Sequence, residues 1–184
     1  MTEFPDHPFW DFSLDVYMSY GVGAACLELQ DAHELDVNIL LFCMWVGASG
    51  RGALTTDQMS TVTGAVADWH HEVVRALRAV RVRMKDGVSN SPADLTESLR
   101  QRIQKAEIDC EHTEQLMLAA SLDLAVDNDR DDTERLADAA SNISQYFETF
   151  GKTSATDRKN LGVILKVAFR DIPAGQVDTA AQSI

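Results

Sequence analysis

The residues best suited to chemistry in this sequence are two pairs of an aspartate and a histidine, Asp68 with His71 and Asp109 with His112. Residues three apart on a helix share a face, so each pair can direct both side chains into a helical bundle. Di-metal carboxylate proteins use a similar device with glutamate. Such a site also needs other carboxylates, which four residues could supply: Glu28, Asp31, Glu107 and Glu111. Because the chain has 29 acidic residues, we favour chance surface spacing over a metal site.

A second group of candidates is a basic stripe on one predicted helix. Its members recur at helical spacing: Arg75, Arg78, Arg81 and Lys85. Arginine offers bidentate geometry, so the stripe could bind a phosphate, a nucleotide or a carboxylate ligand, or a partner. It could equally pair within the chain with a predicted acidic helix that carries Glu107, Glu111 and Glu114. We favour the internal pairing.

A third group consists of polar residues embedded in apolar stretches: Asp15, Gln30, Asp31, Asp36 and Asn38. Buried polar groups need hydrogen-bond partners, so these side chains are expected to form a network that holds the first three helices together. The alternative is a binding pocket built from the same groups. Asn38 decides between the two, because contacts with Asp31 or Gln30 would be architectural, whereas a place on a cavity wall would favour function.

Nucleophilic chemistry has less support. The sequence lacks the nucleophile elbow, the phosphate-binding loops and the zinc-protease helix motif. The three cysteines, Cys26, Cys43 and Cys110, lie far apart in apolar helical stretches, which favours buried thiols over disulfides or nucleophiles. We therefore predict no cofactor and favour a protein that is not an enzyme.

These candidates must be positioned by helices. Between residues 37 and 46 only Asn38 is polar, so this helix has no solvent face and must lie at the centre, with Asp36 as its N-cap. Capping signals and apolar periodicity predict further helices near residues 10–19, 24–33, 56–85, 94–125, 133–150 and 156–169, with a bend near Gly64 or Trp69. We predict an all-α, single-domain bundle of about six to eight helices over residues 1–172, followed by a disordered tail at 173–184.

Composition limits the classes of partner. The net charge of −13 argues against nucleic acid and anionic membranes, since both carry negative charge. The longest apolar run is far below the roughly 20 residues that span a bilayer, and no secretory signal is recognisable, so we predict a cytoplasmic protein. Seven aromatic and methionine residues near the start form either core or an exposed partner surface, and we favour core: Phe4, Phe9, Trp10, Phe12, Tyr17, Met18 and Tyr20.

Several segments resemble an uncharacterised family of small proteobacterial proteins. They are Phe-Trp-Asp-Phe-Ser-Leu-Asp-Val-Tyr at 9–17, Cys-Leu-Glu-Leu-Gln-Asp at 26–31, Leu-Asp-Val-Asn-Ile-Leu-Leu-Phe at 35–42, Trp45, the 69–81 segment and Ala-Glu-Ile-Asp-Cys-Glu at 106–111. The resemblance covers roughly residues 9–120. It implies a bacterial origin and a helical domain, but no reaction and no catalytic residue.

The function expected from the sequence is therefore that of a helical adaptor or partner-binding protein, with a homodimer as one possible form. The alternative is a small metal- or ligand-binding helical enzyme that uses the Asp/His pairs or the basic stripe.

Overall fold

The computed structural model describes residues 4–87 and 89–184, and over these ranges it contains helices and no strand. The α-helices are α1 (Pro8–Tyr17), α2 (Val22–His33), α3 (Val37–Ala48), α4 (Thr56–Trp69), α5 (Arg75–Lys85), α6 (Ala93–Ala120), α7 (Asp132–Phe147), α8 (Ala155–Ala168) and α9 (Ala174–Gln182). A π-helical turn, His70–Val74, joins α4 to α5, so the two are one continuous helix. With that helix counted once, the described ranges contain eight helices, which confirms the predicted all-α bundle.

Helix α3 is the centre of the bundle, as its composition predicts. Ten of its twelve residues are buried, and it packs most extensively against α7, with α6, α1 and α8 on its other sides. The Asp36 carboxylate begins the helix by accepting the backbone N–H of Asn38 at 2.8 Å. A Cβ at Gly47 would lie 2.4 Å from the backbone nitrogen of Ala139, so only glycine lets α3 approach α7 this closely.

The continuous helix of α4 and α5 begins at the predicted capping box, in which Thr55 and Gln58 bind each other's backbone N–H groups. The sequence predicts a bend near Gly64 or Trp69. The irregular part of the helix is the π-helical turn that follows Trp69, whereas Gly64 lies within regular helix. The indole N–H of Trp69 donates to the backbone oxygen of Cys110 on α6 at 3.0 Å. This hydrogen bond fixes the start of the π-helical turn against α6.

The prediction of a disordered tail differs from the structure. Residues 174–182 form α9, which packs against α8 and α7 and buries Val177 and Ala181. The hydroxyl of Thr153 also donates to the backbone oxygen of Ile184, at 2.5 Å. Two small apolar residues, one turn apart, are a weak sequence signal, and the helix is stable here because α8 offers a complementary face.

In the described ranges, no helix is both long enough and apolar enough to cross a membrane.

Candidate functional site

A cleft of about 740 Å³ is lined by residues of α1, α2, α3, α5 and α6. Its buried polar side chains, which we call the floor, are Ser13, Asp36, Asn38, Glu107 and Gln115. Its exposed large apolar side chains, which we call the rim, are Leu14, Tyr17, Met18, Leu27, Val82 and Ile108. The cleft therefore combines a polar interior with an apolar edge.

Asn38 connects the floor to α6. Its amide nitrogen donates to Glu114 Oε2 at 2.6 Å, and its amide oxygen accepts from Gln115 Nε2 at 2.8 Å. These partners are not Asp31 or Gln30, the two contacts that would have made Asn38 architectural. Because Asn38 both anchors this network and lines the cleft, its position supports the two interpretations of the buried polar residues together.

Next to Asn38, the imidazole of His70 lies between two carboxylates. Its Nδ1 is 3.0 Å from Asp36 Oδ2 and 3.0 Å from Glu114 Oε1. Burial opposes the charge on His70, but its close contacts with the carboxylates of Asp36 and Glu114 prevail and raise its pKa to about 9. Burial raises the pKa of Glu114, against the influence of His70 and Asn38. The set can therefore hold a proton or another cation.

Helix geometry explains why these three side chains meet. Asp36 caps α3, Glu114 is fully buried on α6, and His70 begins the π-helical turn. Such turns interrupt the regular spacing of a helix and are frequent at functional sites. Within residues 4–87 and 89–184, Asp36, His70 and Glu114 are the one group of three metal-binding residue types whose ligand atoms all lie within 4.8 Å of one another.

The predicted Asp/His pairs do not form such a group in the described part of the chain. Asp68 and His71 are exposed, and Asp109 is half-buried. His112 is buried instead by aromatic stacking, since its ring centroid lies 3.9 Å from that of Trp10. Burial lowers the pKa of His112.

His70 was not among the predicted candidates, and Glu114 was named only as a partner for the basic stripe, although the sequence carries a signal for both. His70 lies four residues from both Val66 and Val74, which are buried, so it is on the inner face of its helix. Glu114 lies four residues before the buried Leu118. A titratable residue in register with buried apolar residues indicates a site more strongly than the Asp/His spacing does.

The basic stripe pairs within the chain, as the favoured interpretation expects. Arg78 lies 3.0 Å from Glu107 and 2.6 Å from Glu111 and also donates to Gln30, while Arg81 lies 2.5 Å from Glu107. Burial opposes ionisation of Glu107, but hydrogen bonds from the two arginines lower its pKa. In contrast, Arg75 forms an exposed pair with Glu34, at 3.1 Å.

The remaining polar candidates lie at the surface. Asp31 is exposed and lines the cleft, and Asp15 pairs with Arg170. Burial raises the pKa of the Cys26 thiol to about 12, and it raises that of the Cys43 thiol as well. These two thiols are therefore protonated at neutral pH, as expected of core residues rather than nucleophiles.

Comparison with known proteins adds a family but no activity. No curated protein and no solved structure matches the chain significantly. A family model described as a protein of unknown function, DUF2390, matches residues 8–118 and so includes α1 to α5 and most of α6. The match confirms the resemblance to an uncharacterised family. Because it covers more than half of the chain, the protein belongs to this DUF2390 family.

Proposed function

We propose that this protein binds a protein partner, which inserts an apolar segment carrying a basic residue into the cleft. The observation that carries the proposal is the rim, where six large apolar side chains from four helices surround one cleft although each is at least 36% exposed. Apolar groups gathered at one concave site of a protein commonly mark an interaction surface. Scattered exposed apolar residues would carry no such meaning.

The dimensions of the cleft favour a short segment as its occupant. A volume of about 740 Å³ holds a few side chains rather than a whole domain. An amphipathic helix that presents one apolar face to a groove meets this requirement. Met18, which is 78% exposed, suits such a contact because its flexible thioether adapts to different shapes.

Charge favours a basic residue on the partner. Two of the lining cations, Arg78 and Arg81, already pair with Glu107 and Glu111. The lining also includes the carboxylates of Asp31 and Asp36 and one further cation, Lys85, so four carboxylates face three cations. The whole chain carries −13. Opposite charge on the partner would speed association and orient the segment.

A small amphipathic ligand is a second candidate occupant. The hydroxyl oxygen of Ser13 and the amide oxygen of Gln115 are buried on the floor and have no hydrogen-bond partner. Buried polar atoms are rarely left unpaired, so a ligand with a polar group would complete them.

The test compares two charged double variants, one on the rim and one outside the cleft. Met18→Glu/Leu27→Glu changes the rim, and Leu95→Glu/Leu99→Glu changes exposed apolar positions that do not line the cleft. Partners are captured from an extract of the source organism, identified by mass spectrometry and then purified for measurement of Kd. We expect the rim variant to weaken binding by about tenfold or more with its Tm unchanged, because charge at an apolar contact must be desolvated.

Equal binding by the two double variants would refute the proposal. Native mass spectrometry tests the second candidate, since a small molecule carried through purification would be lost from the rim variant. Size-exclusion chromatography with light scattering distinguishes a second copy of this chain from a different partner.

A further inference from the structure

We propose that Asp36, His70 and Glu114 form a binding site for a divalent transition-metal cation. The site lies beside the cleft and does not depend on what fills it. Asp36 lines the cleft, and so does Asn38, which contacts Asp36. The His70 side chain is 15% exposed. An ion therefore has a short path to the three ligand atoms.

The spacing of the ligand atoms suits a single ion. His70 Nδ1 lies 3.0 Å from an oxygen of each carboxylate, and the three atoms lie within 4.8 Å of one another. Around an ion with bonds of about 2.1 Å, adjacent ligands are about 3.0 to 3.4 Å apart. One cation can thus contact all three atoms with small movements of the side chains.

One carboxylate oxygen of the cluster has no hydrogen-bond donor. Nδ1 of His70 can donate one hydrogen bond, and two carboxylate oxygens lie at the same distance from it. Asp36 is 6% exposed, and its Oδ2 accepts no hydrogen bond. A divalent cation would neutralise both carboxylates and give Asp36 Oδ2 the partner that the single Nδ1 proton of His70 does not supply.

The outer oxygens of both carboxylates are already held in place. Glu114 Oε2 accepts from Asn38 Nδ2 at 2.6 Å, and Asp36 Oδ1 accepts from the backbone N–H of Asn38 at 2.8 Å. The backbone N–H of Asp36 donates to the Tyr146 hydroxyl at 2.9 Å. Such outer hydrogen bonds orient ligands in metal sites. Here they direct the inner oxygens, Asp36 Oδ2 and Glu114 Oε1, toward His70.

The ligand types indicate the class of metal. An imidazole nitrogen with two carboxylate oxygens suits Zn²⁺, Fe²⁺ or Mn²⁺ better than Mg²⁺ or Ca²⁺, which prefer all-oxygen sites. Three protein ligands leave at least one position for water or another molecule, as in catalytic rather than structural zinc sites.

The experiment uses the full chain after treatment with a chelator. Zn²⁺ is titrated by calorimetry, and Co²⁺ serves as a spectroscopic probe because its visible absorption reports the coordinating atoms. We expect one site per chain and a higher Tm with Zn²⁺. His70→Gln and Asp36→Asn should each weaken Zn²⁺ binding by about a hundredfold and abolish the Co²⁺ spectrum of the site.

His33→Gln is the matched control, because His33 also lies beside a buried carboxylate, with its Nε2 2.9 Å from Asp157 Oδ1. It should bind Zn²⁺ as the unmodified chain does. Absence of Zn²⁺ and Co²⁺ binding by the unmodified chain would overturn the proposal. Binding retained by both His70→Gln and Asp36→Asn would overturn it too, since the ion would then lie elsewhere. Should His70→Gln fail to fold, Asp36→Asn gives the same readout, because it keeps the size of the side chain and removes only charge.

Discussion

Two histidines of this protein lie beside buried carboxylates, one next to the cleft and one between α2 and α8. His70 Nδ1 is 3.0 Å from both Asp36 and Glu114, whereas His33 Nε2 is 2.9 Å from Asp157 alone. The two histidine side chains are 15% and 17% exposed, so burial does not distinguish them. The two sites differ in the number of carboxylates beside the histidine.

The surroundings of Asp157 show what a closed pair looks like. One of its carboxylate oxygens accepts the backbone N–H of Ser154 at 2.7 Å, which caps α8, and the other faces His33. The rings of Phe147 and Phe150 lie against His33, and neither His33 nor Asp157 lines the cleft. At the second site one histidine faces one carboxylate at a helix junction, whereas the second carboxylate beside His70 leaves an oxygen free to bind a cation.

The largest difference is expected when each imidazole is replaced by leucine. In metal-free, mildly alkaline buffer, His70→Leu should lower the free energy of unfolding by about 3 kcal/mol, because two buried carboxylates lose their cation. His33→Leu should cost about 1 kcal/mol, since Asp157 retains its hydrogen bond from Ser154. Urea denaturation measures both. Equal losses would remove the distinction between the two sites.

A smaller effect is expected from the amide that supports the first site. Asn38→Ala should lower the free energy of unfolding by about 2 kcal/mol, because Glu114 Oε2 and Gln115 Nε2 each lose a buried partner. Asn160→Ala is the comparison near the second site, where Asn160 donates to Glu28 at 2.9 Å. Glu28 is exposed, so water can replace that bond and the loss should be under about 1 kcal/mol. A cost at Asn160 as large as that at Asn38 would contradict the prediction.

The smallest effect concerns acid stability at the second site. Burial opposes ionisation of Asp157, but hydrogen bonds at the start of α8 and the contact with His33 hold its pKa below the usual range. A lowered pKa in the folded state stabilises the protein above the unfolded pKa of about 3.9, and this contribution is lost as the pH falls through the folded pKa. Asp157→Asn should therefore cost about 1 kcal/mol at neutral pH and progressively less below pH of about 4. A constant difference across this range, measured by urea denaturation, would contradict the assignment.

Local patterns predicted much of the fold. The apolar run of α3, its Asp36 cap and the Thr55 capping box depend on residues within one helical turn, so sequence spacing is sufficient to find them. The internal pairing of Arg78 with Glu107 was also predictable, because opposite charges lay on two predicted helices. The helix α9 was not, since its stability depends on the face of α8 rather than on its own residues.

The candidate site was predicted only in part. Asp36 and Asn38 were identified because polar residues within an apolar stretch require an explanation. His70 was overlooked in favour of the adjacent His71, because His71 lies three residues from Asp68. His70 lies four residues after the buried Val66 and faces the core, whereas His71 is exposed.

The sequence by itself determined the helices other than α9, the caps at Asp36 and Thr55, the central position of α3 and the polar groups that must find partners. Tertiary structure alone decided which of those groups meet. Asp36, His70 and Glu114 belong to three separate parts of the chain, and 44 positions separate His70 from Glu114. Helical periodicity extends over one or two turns, so no spacing rule relates residues this far apart. Their meeting depends on how α3, α6 and the π-helical turn pack together. That packing places two carboxylates beside one histidine at the edge of the cleft.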